Sequence, residues 1–247
     1  IDSDLPIGIG LSSSAATCIS MIRALSNLFK INLDESTIVK IAHCIENDFV
    51  GVGGGIMDQF VSVYGEIDKA LFLNTKNNDY KLIPLFNDYS FQIIDSGKKR
   101  ILSDSAFNDR KKLCNKSAEK MSLQYLCDKD KIGEKDKNLL SESEFKVSKH
   151  VIEENIRSKK GLEALLNNDP KLFGELMTQS HNSLANDYMV SCSELDQLIQ
   201  LCNKYGAMGA KLTGAGFGGA IVTLIKNDLV EELKEYILKN YSNAKFI

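Results

Sequence analysis

The stretch "LPIGIGLSSSAATC", from Leu5 to Cys18, places Gly8 and Gly10 two apart, then Ser12, Ser13 and Ser14, then alanines that open a helix. Glycines let a backbone approach a ligand closely, and a helix N-terminus presents unpaired N–H groups at the positive end of its dipole. The pattern suits a phosphate, with hydroxyls available to help and one of them to meet a metal ion. A tight turn followed by a capping serine fits the same residues. No Gly-Lys-Ser/Thr follows, which excludes a Walker A loop, and the third glycine of a dinucleotide-binding fingerprint is missing.

Beyond the serines, "AATCISMIRALSNLF" carries Ala15, Ile19, Ile22, Leu25 and Phe29 at three- and four-residue intervals, the pattern of a helix with one buried face. "DESTIVKIAHCIENDFV" repeats it with Ile38, Ile41, Ile45 and Phe49 on one stripe. "KALFLNT", "YKLIPLF" and "YSFQIIDS" are short apolar runs bounded by Asn, Asp and Gly, expected as strands of one antiparallel sheet. Helical periodicity returns from about Ser105 and is broken by "DKDKIGEKDKN", expected as a solvated loop. Helices are expected from Lys149 to Asn167, Pro170 to Ala185 and Ser193 to Tyr205, then a glycine loop, a buried strand and an amphipathic helix. With no repeats and no clean linker, this mixture predicts an α+β fold.

Composition narrows the function classes. The chain has 247 residues, of which 43% are hydrophobic, enough for one large domain or two small ones with a proper core. Its 30 Lys and Arg against 33 Asp and Glu leave a net charge of -3, which gives no basic field for nucleic acid or an anionic membrane. Any phosphate binding must be local. Cys18, Cys44, Cys114, Cys127, Cys192 and Cys202 form no CxxC pair and are expected as reduced, mostly buried thiols of a cytoplasmic protein. No apolar run approaches the ~18 residues that span a bilayer, and no secretory signal opens the chain, so no membrane partner is expected.

Two further stretches carry candidate chemistry. In "ENDFVGVGGGIMDQF", Glu46 closes a helix, a glycine run follows, and Asp58 lies beyond an apolar pair. Two carboxylates separated by a flexible loop can converge, one holding a divalent cation and the other taking a proton; a turn or helix-cap aspartate is the plainer alternative. In "KLTGAGFGGAIVTL", four glycines within six residues precede a strand, which implies a backbone packed close to a ligand or to the first glycine loop, or else a bulge leading into the strand.

Taken in order, "PIGIGLSSSA", "GIMDQF" and "LTGAGFGG" resemble the motifs of the GHMP small-molecule kinases, and "GIMDQF" with "SHNSLANDYMVSCSELDQL" (180–198) is most similar to the galactokinase branch. The resemblance implies the GHMP kinase fold, α+β with mixed sheets in two lobes. Residues 1–85 would be the remainder of an N-terminal ATP-binding domain, and 86–247 the C-terminal domain. It implies that Gly8, Gly10, Leu11, Ser12 and Ser13 cradle the phosphates of ATP and that Ser14 and Glu46 hold Mg²⁺. Asp58 would be the catalytic residue that meets the sugar's 1-hydroxyl, and Thr213, Gly214, Gly216, Gly218 and Gly219 would form the third family motif.

The activity implied is ATP-dependent phosphorylation of galactose to galactose 1-phosphate by a cytoplasmic monomer. A related sugar 1-kinase acting on N-acetylgalactosamine, arabinose or a uronic acid, and a non-catalytic sugar sensor, remain as alternatives. Phe107 stands where the branch often has a sugar-contacting tyrosine. The family's first motif, with an arginine beside the aspartate and the residues that grip the sugar, has no counterpart here and would lie before Ile1. The 247 residues, which also begin without Met, are therefore expected to be part of a longer protein, inactive and weak in sugar binding alone, with a final strand following Ile247.

Overall fold

Helix α1 (Ser13–Leu28) begins beyond Ser12, which adopts the left-handed backbone with φ 55° after Gly8 and Gly10 at φ 80° and 90°. The computed structural model describes residues 3–51, 53–99 and 104–247, with side chains throughout these except at 104–107. The chain divides into two compact units, Ile1–Leu85 and Phe86–Ile247.

In the first unit, the Asp34 carboxylate accepts from the Thr37 N–H at 2.6 Å and starts α2 (Glu35–Cys44). A five-residue π-helical turn, Ile45–Phe49, continues it. Helix α3 (Met57–Tyr64) stops at Gly65 and leads into a hairpin of β1 (Lys69–Asn74) and β2 (Asp79–Pro84). Ile19, Ile22, Ile38 and Ala42 form the buried core between α1 and α2, with Ile45 and Val63 packed against it. Phe60, Tyr64 and Tyr80 join α3 to the hairpin, the two tyrosine rings stacked with centroids 4.8 Å apart.

The expected stripes are only partly right. Leu25 and Phe29 are exposed, and so is Phe49, at 84%. The wider π turn adds a residue to its ring of hydrogen bonds, which shifts the phase of every side chain beyond Ile45 and brings Glu46 inward in place of Phe49.

The second unit is built on a four-stranded antiparallel sheet in the order β4 (Gly209–Leu212), β5 (Ala220–Lys226), β3 (Tyr89–Asp95) and β6 (Lys245–Phe246). The single sheet expected from three consecutive strands is thus a hairpin plus a third strand that belongs here. Alternation explains the exchange. Ile94, Ile221 and Ile225 enter a core with α8 (Ser193–Tyr205) and α9 (Val230–Asn240). Phe91, Val222 and Leu224 face the other way, toward Phe173, Met177 and Leu165 of α7 (Pro170–Asn186) and α6 (Glu142–Leu166). A strand buried on both faces reads as the continuous run "AIVTLI".

Helix α4 (Asp104–Lys120) and the short α5 (Glu134–Leu139) complete the unit. The charged segment expected as a solvated loop therefore contains a helical turn. Asp136 is buried there because it accepts from Lys129 Nζ at 2.7 Å and from the Gly133 N–H at 2.9 Å. The six thiols are all free, but only Cys202 is fully buried and Cys44 and Cys127 are exposed, contrary to the expectation of mostly buried cysteines. Burial pushes the Cys202 thiol up to about 12 and Cys114 up to about 11, so neither is a nucleophile at neutral pH.

Among the buried groups that make this unit acid-sensitive, Glu144 and His150 are shifted furthest. Glu144, 1% exposed, accepts from Lys120 Nζ at 2.7 Å and the Ser141 N–H at 2.8 Å, which together with Lys116 hold its carboxyl down at about 2. Burial against weaker opposing pulls from Glu154 and Asp187 holds the His150 imidazole down at about 4. Both native values lie below the unfolded ones, so each contribution is complete above the unfolded value and is lost as pH falls toward the native one. The urea midpoint should therefore fall between pH 6.5 and 4 through His150, then further between about 4.5 and 2 through Glu144. His150→Asn should reduce the first slope only, the remainder coming from His181, which burial also holds below its ordinary value; an unchanged midpoint slope above pH 4.5 would contradict the assignment.

Candidate functional site

The two glycine stretches of the first unit flank three helix ends. Nothing lies within 4 Å of a Cβ built at Gly8, Gly51, Gly54 or Gly55, so these backbones border open space. Ser12 makes no side-chain hydrogen bond to the helix it precedes, and the first turn of α1 holds no acidic residue. The first-turn N–H groups therefore keep no side-chain partner from the cap. Ser12 does not act as a side-chain cap, and the helix start beside Gly8, Gly10, Leu11, Ser12 and Ser13 is chemically open to an anion.

In the same first turn, Ser14 Oγ donates to Glu46 Oε1, bridging α1 to the π turn. Glu46 is 9% exposed, and its other oxygen accepts from Gln59 Nε2 on α3. Packing of α1, α2 and α3 about Ile19, Ile22 and Ile38 brings these three side chains together from positions up to 45 residues apart in sequence, as Ser14 and Gln59 are. A hydroxyl and a carboxylate in contact form a hard oxygen donor pair. Mg²⁺ commonly takes one or two protein oxygens and completes its shell with water and phosphate, so the pair fits it. Among the described residues no group of three or more His, Cys, Asp or Glu could form a metal cage. Cys18 lies near enough for the Glu46 charge to reinforce the burial that pushes its thiol up.

Asp58 occupies the first turn of α3, half-buried and one residue before Gln59, and its own backbone carbonyl accepts from Ser62 Oγ at 2.8 Å. Ile56, not Asp58, is the residue that precedes the helix, and Asp58 in the first turn also suits a helix-start charge at the positive end of the dipole. Ser14 and Glu46 touch, and Asp58 stands one residue from the Gln59 that also meets Glu46.

Gln59 is the residue sequence reasoning missed. Ile56, Gln59, Phe60 and Val63 fall at i, i+3, i+4 and i+7, so a glutamine sits on the apolar face of α3. A polar side chain in such a slot was the available signal.

The third glycine motif answers to its own unit. Thr213 N–H donates to Ala220 O at 3.0 Å, and Gly214, Gly216, Gly218 and Gly219 all have positive φ. A Cβ at Gly216 would lie 2.1 Å from Val190 O, and one at Gly218 2.9 Å from Lys98 O. Phe217 N–H donates to Val190 O and Gly219 N–H to Lys98 O. The glycine density thus records close approach to the backbone of the SHNSLANDYMVSCSELDQL segment and of the chain after β3. Phe107 lies on α4, and its side chain is outside the described residues.

Comparison with known proteins gives one consistent picture. Residues 1–66 match the N-terminal domain of GHMP kinases and residues 162–243 their C-terminal domain. The galactokinase of Thermotoga maritima is 39% identical over 246 residues, covering 98% of this chain and 69% of its own length. That of Pyrococcus furiosus is 36% identical, over 100% of this chain and 69% of its own length. A crystal structure of Lactococcus lactis galactokinase complexed with galactose superposes with a TM-score of 0.92 at 31% identity, over 99% of this chain and 66% of that one.

Proposed function

Because this chain belongs to the GHMP kinases and, among them, to the galactokinases, we propose that the protein carrying it transfers the γ-phosphoryl group of ATP to the 1-hydroxyl of galactose. The observation that carries the reading is the Ser14–Glu46 contact beside the uncapped start of α1. An uncapped helix start and a hydroxyl–carboxylate pair within one turn of each other support a site for a phosphate and its cation.

Gly8, Gly10, Leu11, Ser12 and Ser13 hold the phosphates of ATP through backbone amides and hydroxyls. Ser14 and Glu46 hold Mg²⁺, which when bound supplies positive charge against the phosphate oxygens. Asp58 takes the proton from the 1-hydroxyl as that oxygen bonds to the γ-phosphorus and the bond to ADP breaks. Nothing else covalent is asked of the protein, so positioning and charge neutralisation carry the rate. Residues 1–85 serve as part of the ATP-binding N-terminal domain and 86–247 as the C-terminal domain, in a cytoplasmic monomer. No helix among the described residues is long and apolar enough to cross a membrane.

A coupled ADP-release assay of the complete protein that carries this chain, over galactose, N-acetylgalactosamine, arabinose and galacturonic acid, tests the proposal, and the kinetic predictions below refer to that protein. The highest kcat/KM is expected with galactose. Preference for another sugar would replace galactose by a related 1-kinase substrate, and sugar binding without turnover would make the protein a sensor. Phe107→Tyr sharpens the question. Adding a hydroxyl that accepts or donates one net hydrogen bond, about 0.5–1.5 kcal/mol, should lower the galactose KM several-fold and leave the ATP KM alone. An unchanged galactose KM would take residue 107 out of the sugar site.

A further inference from the structure

We propose that Gln59 is a positioning residue for Glu46, the neutral donor that aims its carboxylate at Ser14 for cation binding. The inference rests on the kinase reading of this site and assigns to it a residue outside the ATP, metal and proton-transfer roles given above.

The orientation of the amide is set by chemistry. An ionised carboxylate only accepts, so the Gln59 side chain must turn Nε2 toward Glu46 Oε2. Its Oε1 is then left buried with no hydrogen-bond partner among the described residues. At 3% exposure, on a helix face shared with Ile56, Phe60 and Val63, stability alone would favour an aliphatic side chain here. A glutamine with half of its polar capacity unmatched is instead explained by what its N–H groups do.

What they do is confine Glu46. One oxygen is held by Gln59 and the other by Ser14, so the carboxylate plane is fixed from two helices. The charge type matters as much as the hydrogen bond. Lysine or arginine at 59 would also orient the carboxylate but would neutralise it and repel a divalent cation. An amide orients it and leaves its full negative charge available. Partners that orient a metal ligand in this way typically change metal affinity about 10–100-fold when removed.

Mn²⁺, followed by electron paramagnetic resonance in the presence of ADP, is the probe, because it reports cation binding without turnover. Gln59→Met keeps the length and removes the donor; it should weaken Mn²⁺ binding about 10-fold. In assays it should raise the Mg²⁺ concentration for half-maximal rate while leaving the galactose KM within twofold and kcat largely restored at saturating Mg²⁺. Gln59→Lys should weaken Mn²⁺ at least as much, and because its cation pairs with Glu46 it does so without lowering the thermal midpoint. Glu46→Gln serves as the reference. If Gln59→Met and Gln59→Lys both bind Mn²⁺ within twofold of the parent while Glu46→Gln does not, Gln59 is only a core residue and the inference fails. If Glu46→Gln also binds normally, the cation site itself has been misplaced and the proposed function loses its support.

Discussion

Asp58→Asn should lower kcat with galactose by about 10²–10⁴ while leaving ATP affinity within twofold, because removing a positioned base costs on that order. The substitution keeps size and hydrogen-bonding shape and removes only the basic oxygen. Asp58 lies in the first turn of α3, half-buried, directly before the residue that grips Glu46. If it were merely a helix-start charge interacting with the dipole, its loss would cost about 0.3–1 kcal/mol of stability and no activity. Steady-state kinetics with galactose and a nucleotide titration separate the two cases. Turnover within tenfold of the parent would exclude Asp58 as the base.

Gly209→Val should cost about 3 kcal/mol of stability or more, and roughly 6–12 °C in melting temperature, without touching any residue of the candidate site. Helix α7 crosses β4 so closely that a Cβ at Gly209 would lie 1.9 Å from Gly174 O, and one at Gly174 2.2 Å from Met208 O. Backbone on both sides of the contact cannot yield as a flexible side chain would, so strain must move α7 away from the sheet. The displaced helix carries Phe173 and Met177, which pack over Phe91 and Leu224. Thermal unfolding of Gly209→Val and Gly174→Ala measures the effect, and a melting temperature within 2 °C of the parent for both would show that the crossing is loose.

Most elements were legible in the sequence because their periodicity is unambiguous, and Pro170 and Ser193 do open α7 and α8. Ser14 and Glu46 were legible as candidates because serines at a helix mouth and a carboxylate before a glycine run are chemically distinctive. Their meeting was implied by the family resemblance and not by the local pattern, since it depends on a π turn whose extra residue turns Glu46 inward and Phe49 out. Gln59 went unseen for a related reason: a lone amide on an apolar face marks a position, but only the fold shows that its partner is Glu46. The three apolar runs after residue 68 were recognisable as strands, but local pattern carries no information on pairing. Only the long-range match of Ile93 with Val222 assigns β3 to the second sheet. The glycines of the third motif were read as crowded by a ligand or by the first glycine loop; what crowds Gly216 and Gly218 is Val190 and Lys98, 26 and 120 residues away in sequence.

The central claim is that phosphate leaves ATP for the anomeric oxygen of galactose at a site built from Ser14, Glu46 and Asp58. Phosphorus NMR of the reaction with galactose and Mg·ATP follows that transfer directly. A sugar 1-phosphate resonance should grow in step with ADP for the parent protein, and fall by at least a hundredfold in initial rate for Asp58→Asn. Phosphate appearing on another hydroxyl, release of inorganic phosphate alone, or a 1-phosphate signal that grows undiminished in Asp58→Asn would contradict it.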